Sequence, residues 1–160
     1  MVRERLRGLN EYGFSMAELL VVVAVVGIIT ALATPYFMSY LQSASLKAAA
    51  QELASIVSGA RQLAIARNTN VCVALSGNQA LYKTGVSTAC GGGTTYLGAG
   101  TRGDGTMLLD NNMTITGTTA SVVFSSLGVA VTAGTYTVHN PTTGNNLSVV
   151  VSSTGRVTIQ

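Results

Sequence analysis

Charged side chains are scarce in this sequence of 160 residues. Lysine, arginine, aspartate and glutamate make up 9% of it, against roughly 25% in ordinary soluble domains. The formal net charge is +3, far from the basic patch or stripe that proteins binding DNA or RNA normally carry. The composition therefore gives nucleic acid no support as a partner.

Groups that could perform catalysis or bind a metal are equally sparse. His139 is the only histidine, and neither a second cysteine pair nor a nearby histidine completes a metal-ligand spacing with Cys72 and Cys90. Beyond the N-terminal helical region, Asp104 and Asp110 are the only acidic residues, and neither has an evident catalytic partner. We therefore predict no enzyme activity, no cofactor and no metal.

Two short motifs in a glycine-rich region resemble functional signatures. Residues 98–103 satisfy the G-x-G-x-x-G pattern, which binds a dinucleotide only between a strand and a helix. No helical pattern follows it here, so a flexible loop is predicted. Arg102, Gly103 and Asp104 form an adhesion-like tripeptide, but three residues in such a loop carry little information. His139 is predicted to lie at the end of a strand.

A long uncharged block dominates the N-terminal region. The sequence carries no charge between residues 19 and 46, and a membrane-spanning helix needs about 20 mostly apolar residues. We predict a transmembrane segment at about residues 19–38. Three arginines precede it, which favours a cytoplasmic N-terminus and a periplasmic location for the rest of the chain.

Two cleavage signals compete in this region. Ala31-Leu32-Ala33 fits the A-x-A site of a secretory signal, and a cut after Ala33 would release a soluble secreted β-rich binding protein. In the other, a short basic leader ends in Gly13, Phe14 follows it, and Glu18 is the fifth residue after Gly13. A charge at membrane depth costs about 2.5–3.5 kcal/mol or more. Glu18 would gain nothing from its position in an isolated anchor.

This second pattern resembles the type IV prepilin cleavage motif. The resemblance implies cleavage by a prepilin peptidase between Gly13 and Phe14, N-methylation of Phe14, and filament assembly through Glu18. In the family, this glutamate can pair with the new α-amino group of a neighbouring subunit. Pro35 matches a proline that many members carry, and it is expected to bend the helix because it lacks a backbone donor.

The helical pattern continues past the apolar block and then gives way to strands. Apolar residues recur at three- and four-residue steps up to residue 64, which indicates an amphipathic helix. We predict a cleaved leader at 1–13, a helix at 14–67 (periplasmic and amphipathic at about 39–67) and a β-rich domain at 68–160. The resulting fold class is α+β, with one long helix before an antiparallel β-sheet or β-sandwich. The predicted strands are 71–76, 80–83, 94–97, 113–116, 121–124, 135–139, 147–152 and 156–159.

Four segments of the C-terminal half narrow the resemblance. They are VFSSLG at 123–128, GTYTV at 134–138, SVVVS at 148–152 and GRV at 155–157. Together with the N-terminal motif they resemble the GspH/FimT family of pilin-like proteins, which makes the expected fold pilin-like. Members linked to DNA uptake carry G-R-x-R near the C-terminus. Only Arg156 is present in this sequence, which makes it a weak nucleic-acid candidate.

The resemblance implies a minor pseudopilin of a type II secretion filament. Its partners would be prepilin peptidase, other pseudopilins or pilins, the inner membrane and secreted cargo. A minor type IV pilin for pilus assembly, adhesion or DNA uptake is the first alternative. In a periplasmic domain, a Cys72–Cys90 disulfide is the natural interpretation and would contribute about 3 kcal/mol, although two buried thiols remain the alternative.

Overall fold

A computed structural model describes residues 13–109, 113–117 and 121–160 of the chain. It divides into two units, Met1–Ser39 and Tyr40–Gln160. Residues 1–12 of the predicted leader at 1–13, and Asp110, lie outside the described residues. Helix α1, Met16–Arg67, contributes residues to both units.

The two ends of α1 are set by local hydrogen bonding. The predicted start at Phe14 is wrong by two residues, because the helix begins at Met16. The predicted end at Arg67 is confirmed. Asn68 takes a left-handed conformation with φ 47°. The amides of Asn68 and Thr69 then donate back to the carbonyls of Ile65 and Ala64, both at 3.2 Å. These two hydrogen bonds together form a Schellman motif, which ends a helix and turns the chain away from the helix axis.

One face of α1 is buried in the second unit. Most of the buried residues on this face are alanines, so the helix can approach the sheets closely. Ile56 and Leu63, also predicted on this face, are half-buried and pack against the same core. The buried residues are Leu46, Ala49, Ala50, Leu53, Val57, Ala60 and Ala64.

In the described part of the chain, ten strands follow the helix and form two antiparallel sheets, which confirms the predicted α+β fold class. The first sheet has the order β3-β2-β1-β6-β7, with β4 also paired to β2. The second has the order β10-β9-β8-β5. Both sheets contribute to one hydrophobic core together with α1. The strands are β1 Val71–Ser76, β2 Gln79–Thr84, β3 Thr94–Thr95, β4 Thr106–Leu108, β5 Thr114–Gly117, β6 Ser121–Phe124, β7 Ala130–Thr132, β8 Gly134–His139, β9 Asn146–Val151 and β10 Val157–Ile159.

The differences from prediction concern the shortest strands. β4 and β7 have three residues each and were not predicted, and the strand predicted at 94–97 reduces to the two residues of β3. An alternating apolar pattern needs at least four residues to be recognised. In these segments the strand is formed by pairing with a neighbour, and the residues of β4 are all half-buried rather than alternating.

A buried tyrosine joins the two sheets. The hydroxyl of Tyr136, on β8, accepts a hydrogen bond from the Val122 amide at 3.0 Å and donates one to the Val73 carbonyl at 3.1 Å. Val73 and Val122 are paired residues of β1 and β6 in the other sheet. Burial raises the pKa of Tyr136 to about 12, so its hydroxyl stays protonated and can serve both groups. This one side chain therefore satisfies two backbone groups in the core.

Replacing Tyr136 with phenylalanine is expected to lower the free energy of unfolding by about 1–3 kcal/mol, because two buried polar groups lose their partner. Reversible urea unfolding of the purified chain, followed by circular dichroism, measures the change. Tyr40→Phe is the matched control, since Tyr40 is 69% exposed. Equal stability of the two variants would contradict a role for the Tyr136 hydroxyl.

Candidate functional site

The predicted cleavage site lies in an exposed segment before the helix. Residues 13–15 have no helical structure, and all three are exposed. The Phe14 side chain is 78% exposed. The peptide bond between Gly13 and Phe14 therefore lies outside regular structure, where another protein can reach it.

Ser15 determines where the helix begins. Its hydroxyl accepts a hydrogen bond from the Ala17 amide at 3.3 Å, and its carbonyl accepts one from the Leu19 amide at 3.1 Å. These are the contacts of an N-cap residue, which lies just outside the helix. Serine followed three residues later by glutamate is also the sequence pattern of a capping box. That signal, present in Ser15 and Glu18, could have placed the helix start at Met16.

Glu18 lies in the first turn of α1 and is exposed. Within residues 13–109, 113–117 and 121–160, no hydrogen bond or ion pair involves its carboxylate. The partial positive charge of the helix N-terminus favours an anion at this position. The first turn thus presents an accessible carboxylate at the edge of an apolar surface.

An unburied apolar surface follows Glu18 along α1. This part of α1 is unburied, and the helix is long and apolar enough to cross a membrane. Contiguous apolar surface of this size does not stay in water. Its exposed large residues are Leu19, Leu20, Val21, Val22, Val23, Val25, Val26, Ile28, Ile29, Leu32, Tyr36, Phe37, Met38, Tyr40 and Leu41.

Two threonine hydroxyls on this surface are satisfied within the helix. The hydroxyls of Thr30 and Thr34 each donate at 2.8 Å to a carbonyl four residues earlier, those of Val26 and Thr30. Such bonds let threonine enter an apolar environment without an unpaired donor. Pro35 lies inside α1 and contributes no backbone donor. The bend predicted at Pro35 stays a prediction.

Cys72 and Cys90 are joined by a disulfide, with their Cα atoms 5.4 Å apart. Cys72 lies on β1 and is fully buried. Together with Val86 and Val123 it forms a small second cluster, against which Cys90 packs. The Thr132 hydroxyl donates to the Thr88 carbonyl at 2.7 Å. The disulfide thus holds the segment after β2 over one face of the first sheet.

Removing this cross-link by a Cys72→Ala/Cys90→Ala double substitution is expected to lower the free energy of unfolding by about 3 kcal/mol. The reason is the loop-closure entropy that the unfolded chain regains. Urea unfolding measures the loss, and the unsubstituted chain in dithiothreitol should show a similar one. A reductant that leaves the wild-type midpoint unchanged would contradict this expectation.

The C-terminal motifs meet at a junction between the two sheets. The turn at 125–128 connects β6 to β7, and the turn at 152–155 connects β9 to β10. Arg61, on α1, donates from Nε to the Gly128 carbonyl at 2.9 Å. Gly155 lies against the same carbonyl oxygen, and the Ala130 amide donates to the Ser153 carbonyl at 3.1 Å. Nothing in the sequence pattern singles out Arg61, because its carbonyl partner lies 67 residues away.

Arg156, the weak nucleic-acid candidate, follows this junction. Its side chain is exposed, while Gly155 before it is buried. Within the described parts of the chain, neither Arg61 nor Arg156 forms an ion pair with a carboxylate.

The remaining motifs have local structural roles. Residues 98–103 form a loop between β3 and β4, as predicted, with no helix after it. The Asp104 carboxylate accepts bonds from the Thr106 hydroxyl at 2.7 Å and amide at 3.0 Å, which lower its pKa. His139 is the last residue of β8, and its Nδ1 lies 2.6 Å from Asn146 Oδ1. No group of metal-ligating side chains is found among the residues that the structure describes.

Comparison with known families agrees with this arrangement. The prokaryotic N-terminal methylation motif matches residues 9–34, which include Gly13, Phe14 and Glu18. The family described as Type II transport protein GspH matches residues 49–155. An apolar helix that carries this methylation motif, followed by this β domain, defines the class of type IV pilin-like minor pilins and pseudopilins. Because the GspH match covers more than half of this chain, the chain belongs to the GspH family.

Solved structures of two such proteins share the fold. The minor pilin FimU of Pseudomonas aeruginosa is 22% identical, with a TM-score of 0.51, and the match covers 72% of this chain and 92% of that one. GspH of E. coli is 14% identical, with a TM-score of 0.56 and coverage of 73% and 88%. At these identities the likeness shows the fold alone. No curated protein matches the sequence.

The family and the apolar helix indicate a membrane-anchored protein with a periplasmic domain. The methylation motif implies processing by a prepilin peptidase and assembly with other pilins. Members of this family are structural pilin and pseudopilin subunits rather than known enzymes.

Proposed function

We propose that this chain is a minor pseudopilin of a type II secretion filament. The observation that carries the proposal is the unburied apolar surface of α1 with one carboxylate, Glu18, at its start. Lipid covers such a surface before assembly, and the helices of neighbouring subunits cover it afterwards. The β domain then faces outward, where it contacts other subunits or cargo.

Processing and assembly share the same few residues. Prepilin peptidase cuts the exposed bond after Gly13, and the new α-amino group on Phe14 is methylated. Glu18 pairs with the corresponding amine of a neighbouring subunit, because a carboxylate at the edge of an apolar surface needs a cation once water is excluded. The pair forms only in the correct axial register. Pro35 adds a bend that fits the helix to its neighbours.

The proposed topology places residues 1–13 in the cytoplasm, 19–38 in the inner membrane and 68–160 in the periplasm. An oxidising periplasm maintains the Cys72–Cys90 disulfide. A secreted product cut after Ala33 is not retained, since α1 is continuous from Met16 to Arg67 and such a cut would fall inside it.

The second candidate is a minor type IV pilin. The likeness to FimU, a minor type IV pilin of P. aeruginosa, favours it, and the same N-terminal assembly mechanism would serve both filaments. The two candidates differ in what the filament moves, so the test must read out secretion and piliation together.

Deleting the gene is expected to remove several enzymes from the extracellular proteome while surface pili remain. A Gly13→Val strain should behave like the deletion, because a β-branched residue at the cut site blocks close approach of the peptidase to the backbone. Intact-mass measurement of the chain reports whether the leader is retained. An unchanged secretome with pili lost would overturn the secretion proposal and establish the minor pilin.

A further inference from the structure

A groove runs along one flank of α1 in the second unit. Its two adjoining cavities, of about 470 and 360 Å³, share Ser58 on the helix and Val157 on β10 as lining residues. The first cavity is lined by Ala54 and Ile159, and the second extends to Arg61 and Arg156. Apolar residues therefore alternate in the groove with small or uncharged polar ones, and one end is cationic. The uncharged polar lining residues are Gln51, Ser55, Ser58 and Gln62.

β10 forms one wall of the groove and is an edge strand of its sheet. The Arg156 carbonyl accepts a bond from the Ser152 amide at 2.9 Å, and Gln160 exchanges two bonds of 2.8 Å with Ser148. Hydrogen-bonded residues alternate along an antiparallel pair. The backbone N–H and C=O groups of Val157 and Ile159 therefore point away from β9, toward the open edge.

The charge of the groove has one sign. Arg61 and Arg156 line its end near Gly155, and none of its lining residues is acidic. Arg61 uses Nε for the Gly128 carbonyl, which fixes its guanidinium at the mouth of the groove. Two guanidinium groups without a carboxylate partner among the described residues favour an anionic group on whatever enters.

We propose that this groove binds an extended segment of a partner protein, added to the sheet as a strand beside β10. The open backbone groups of Val157 and Ile159 would pair with the segment. Its alternate apolar side chains would face Ala54 and the helix, and a carboxylate would face Arg156. Strand addition to an exposed edge derives its affinity from main-chain bonds and its specificity from the side-chain sites. The site would serve a secretion filament and a pilus equally.

The test uses the full chain in detergent micelles and two synthetic seven-residue peptides of alternating valine and threonine. One ends in glutamate and the other in lysine. Amide hydrogen exchange is measured with and without each peptide. The glutamate peptide should slow exchange at Val157 and Ile159 but leave Thr158, already bonded to β9, unchanged. It should also bind about tenfold more tightly than the lysine peptide.

Two variants test the backbone and the charge separately. Ile159→Pro removes an edge amide that no ladder bond uses, so the fold should persist while binding is lost. Ile159→Ala retains that amide and should retain most of the binding. Arg156→Glu should reverse the preference between the two peptides. Absence of protection at both edge amides, or equal binding by the proline and alanine variants, would overturn the proposal.

Discussion

A Glu18→Val chain should be cut normally after Gly13 yet remain in the membrane, absent from filaments. We expect the two events to be separable, because the proposed scissile bond lies in the exposed segment before the helix, whereas Glu18 lies in the first turn of the helix. Valine keeps the surface apolar, so anchoring should be unaffected. In the proposed assembly, the substitution removes the anionic partner of the α-amino group of a neighbouring subunit.

The expected effect is large because the unpaired amine of the neighbour remains in an apolar environment. Breaking one side of a buried ion pair costs about 3–5 kcal/mol, which corresponds to at least a hundredfold loss of incorporation. Intact mass reports processing, and immunodetection in sheared filaments against the membrane fraction reports assembly. Glu18→Asp keeps the charge with a shorter side chain and should retain partial incorporation. Wild-type amounts of the valine variant in filaments would contradict the assembly role of Glu18.

The sequence predicts those features of the fold that repeat along the chain. The end of α1 at Arg67 is located correctly because apolar periodicity runs through many residues of the helix. The strand Ser121–Phe124 is located by a short run of β-branched and aromatic residues, all of them buried. β4 and β7 are missed because pairing with β2 and β6 creates them. The helix start is missed for a different reason. Ser15 caps the helix through two hydrogen bonds, whereas the cleavage motif draws the predicted boundary to Phe14.

The residues of the candidate sites also fall into two groups, those that the sequence indicates and those that it does not. Gly13, Phe14 and Glu18 could be proposed from the sequence because they belong to one contiguous motif with fixed spacing, and the methylation-motif match includes them. Arg61 could not, because its partner is a carbonyl 67 residues away, reached only after both sheets have formed. The sequence does mark Gly128 and Gly155 as parts of two motifs. It gives no sign that their turns come together.

Gly155→Ala should therefore be far more damaging than an ordinary glycine substitution in a turn. Gly155 has φ +80°, where a Cβ costs about 1–2 kcal/mol. A Cβ there would also overlap the Gly128 carbonyl oxygen, which is backbone and already holds the Arg61 Nε. Forcing two turns apart costs about another 1–3 kcal/mol. We expect a loss of about 4 kcal/mol in the free energy of unfolding.

Gly144→Ala is the matched control, since Gly144 has φ +74° and open space where its Cβ would lie. It carries the same backbone strain without the overlap, so its loss should be only about 1–2 kcal/mol. Urea unfolding gives the free energy of unfolding of both variants. The difference between the two losses is the cost of the overlap between the new Cβ and the Gly128 carbonyl oxygen. Arg61→Met in the Gly155→Ala background adds a second measure. If the junction is already displaced, the loss of the Arg61 hydrogen bond should cost less than it does in the wild-type chain. Equal stability of the two alanine variants would mean that the turns can separate freely, and the junction would then not hold the sheets together.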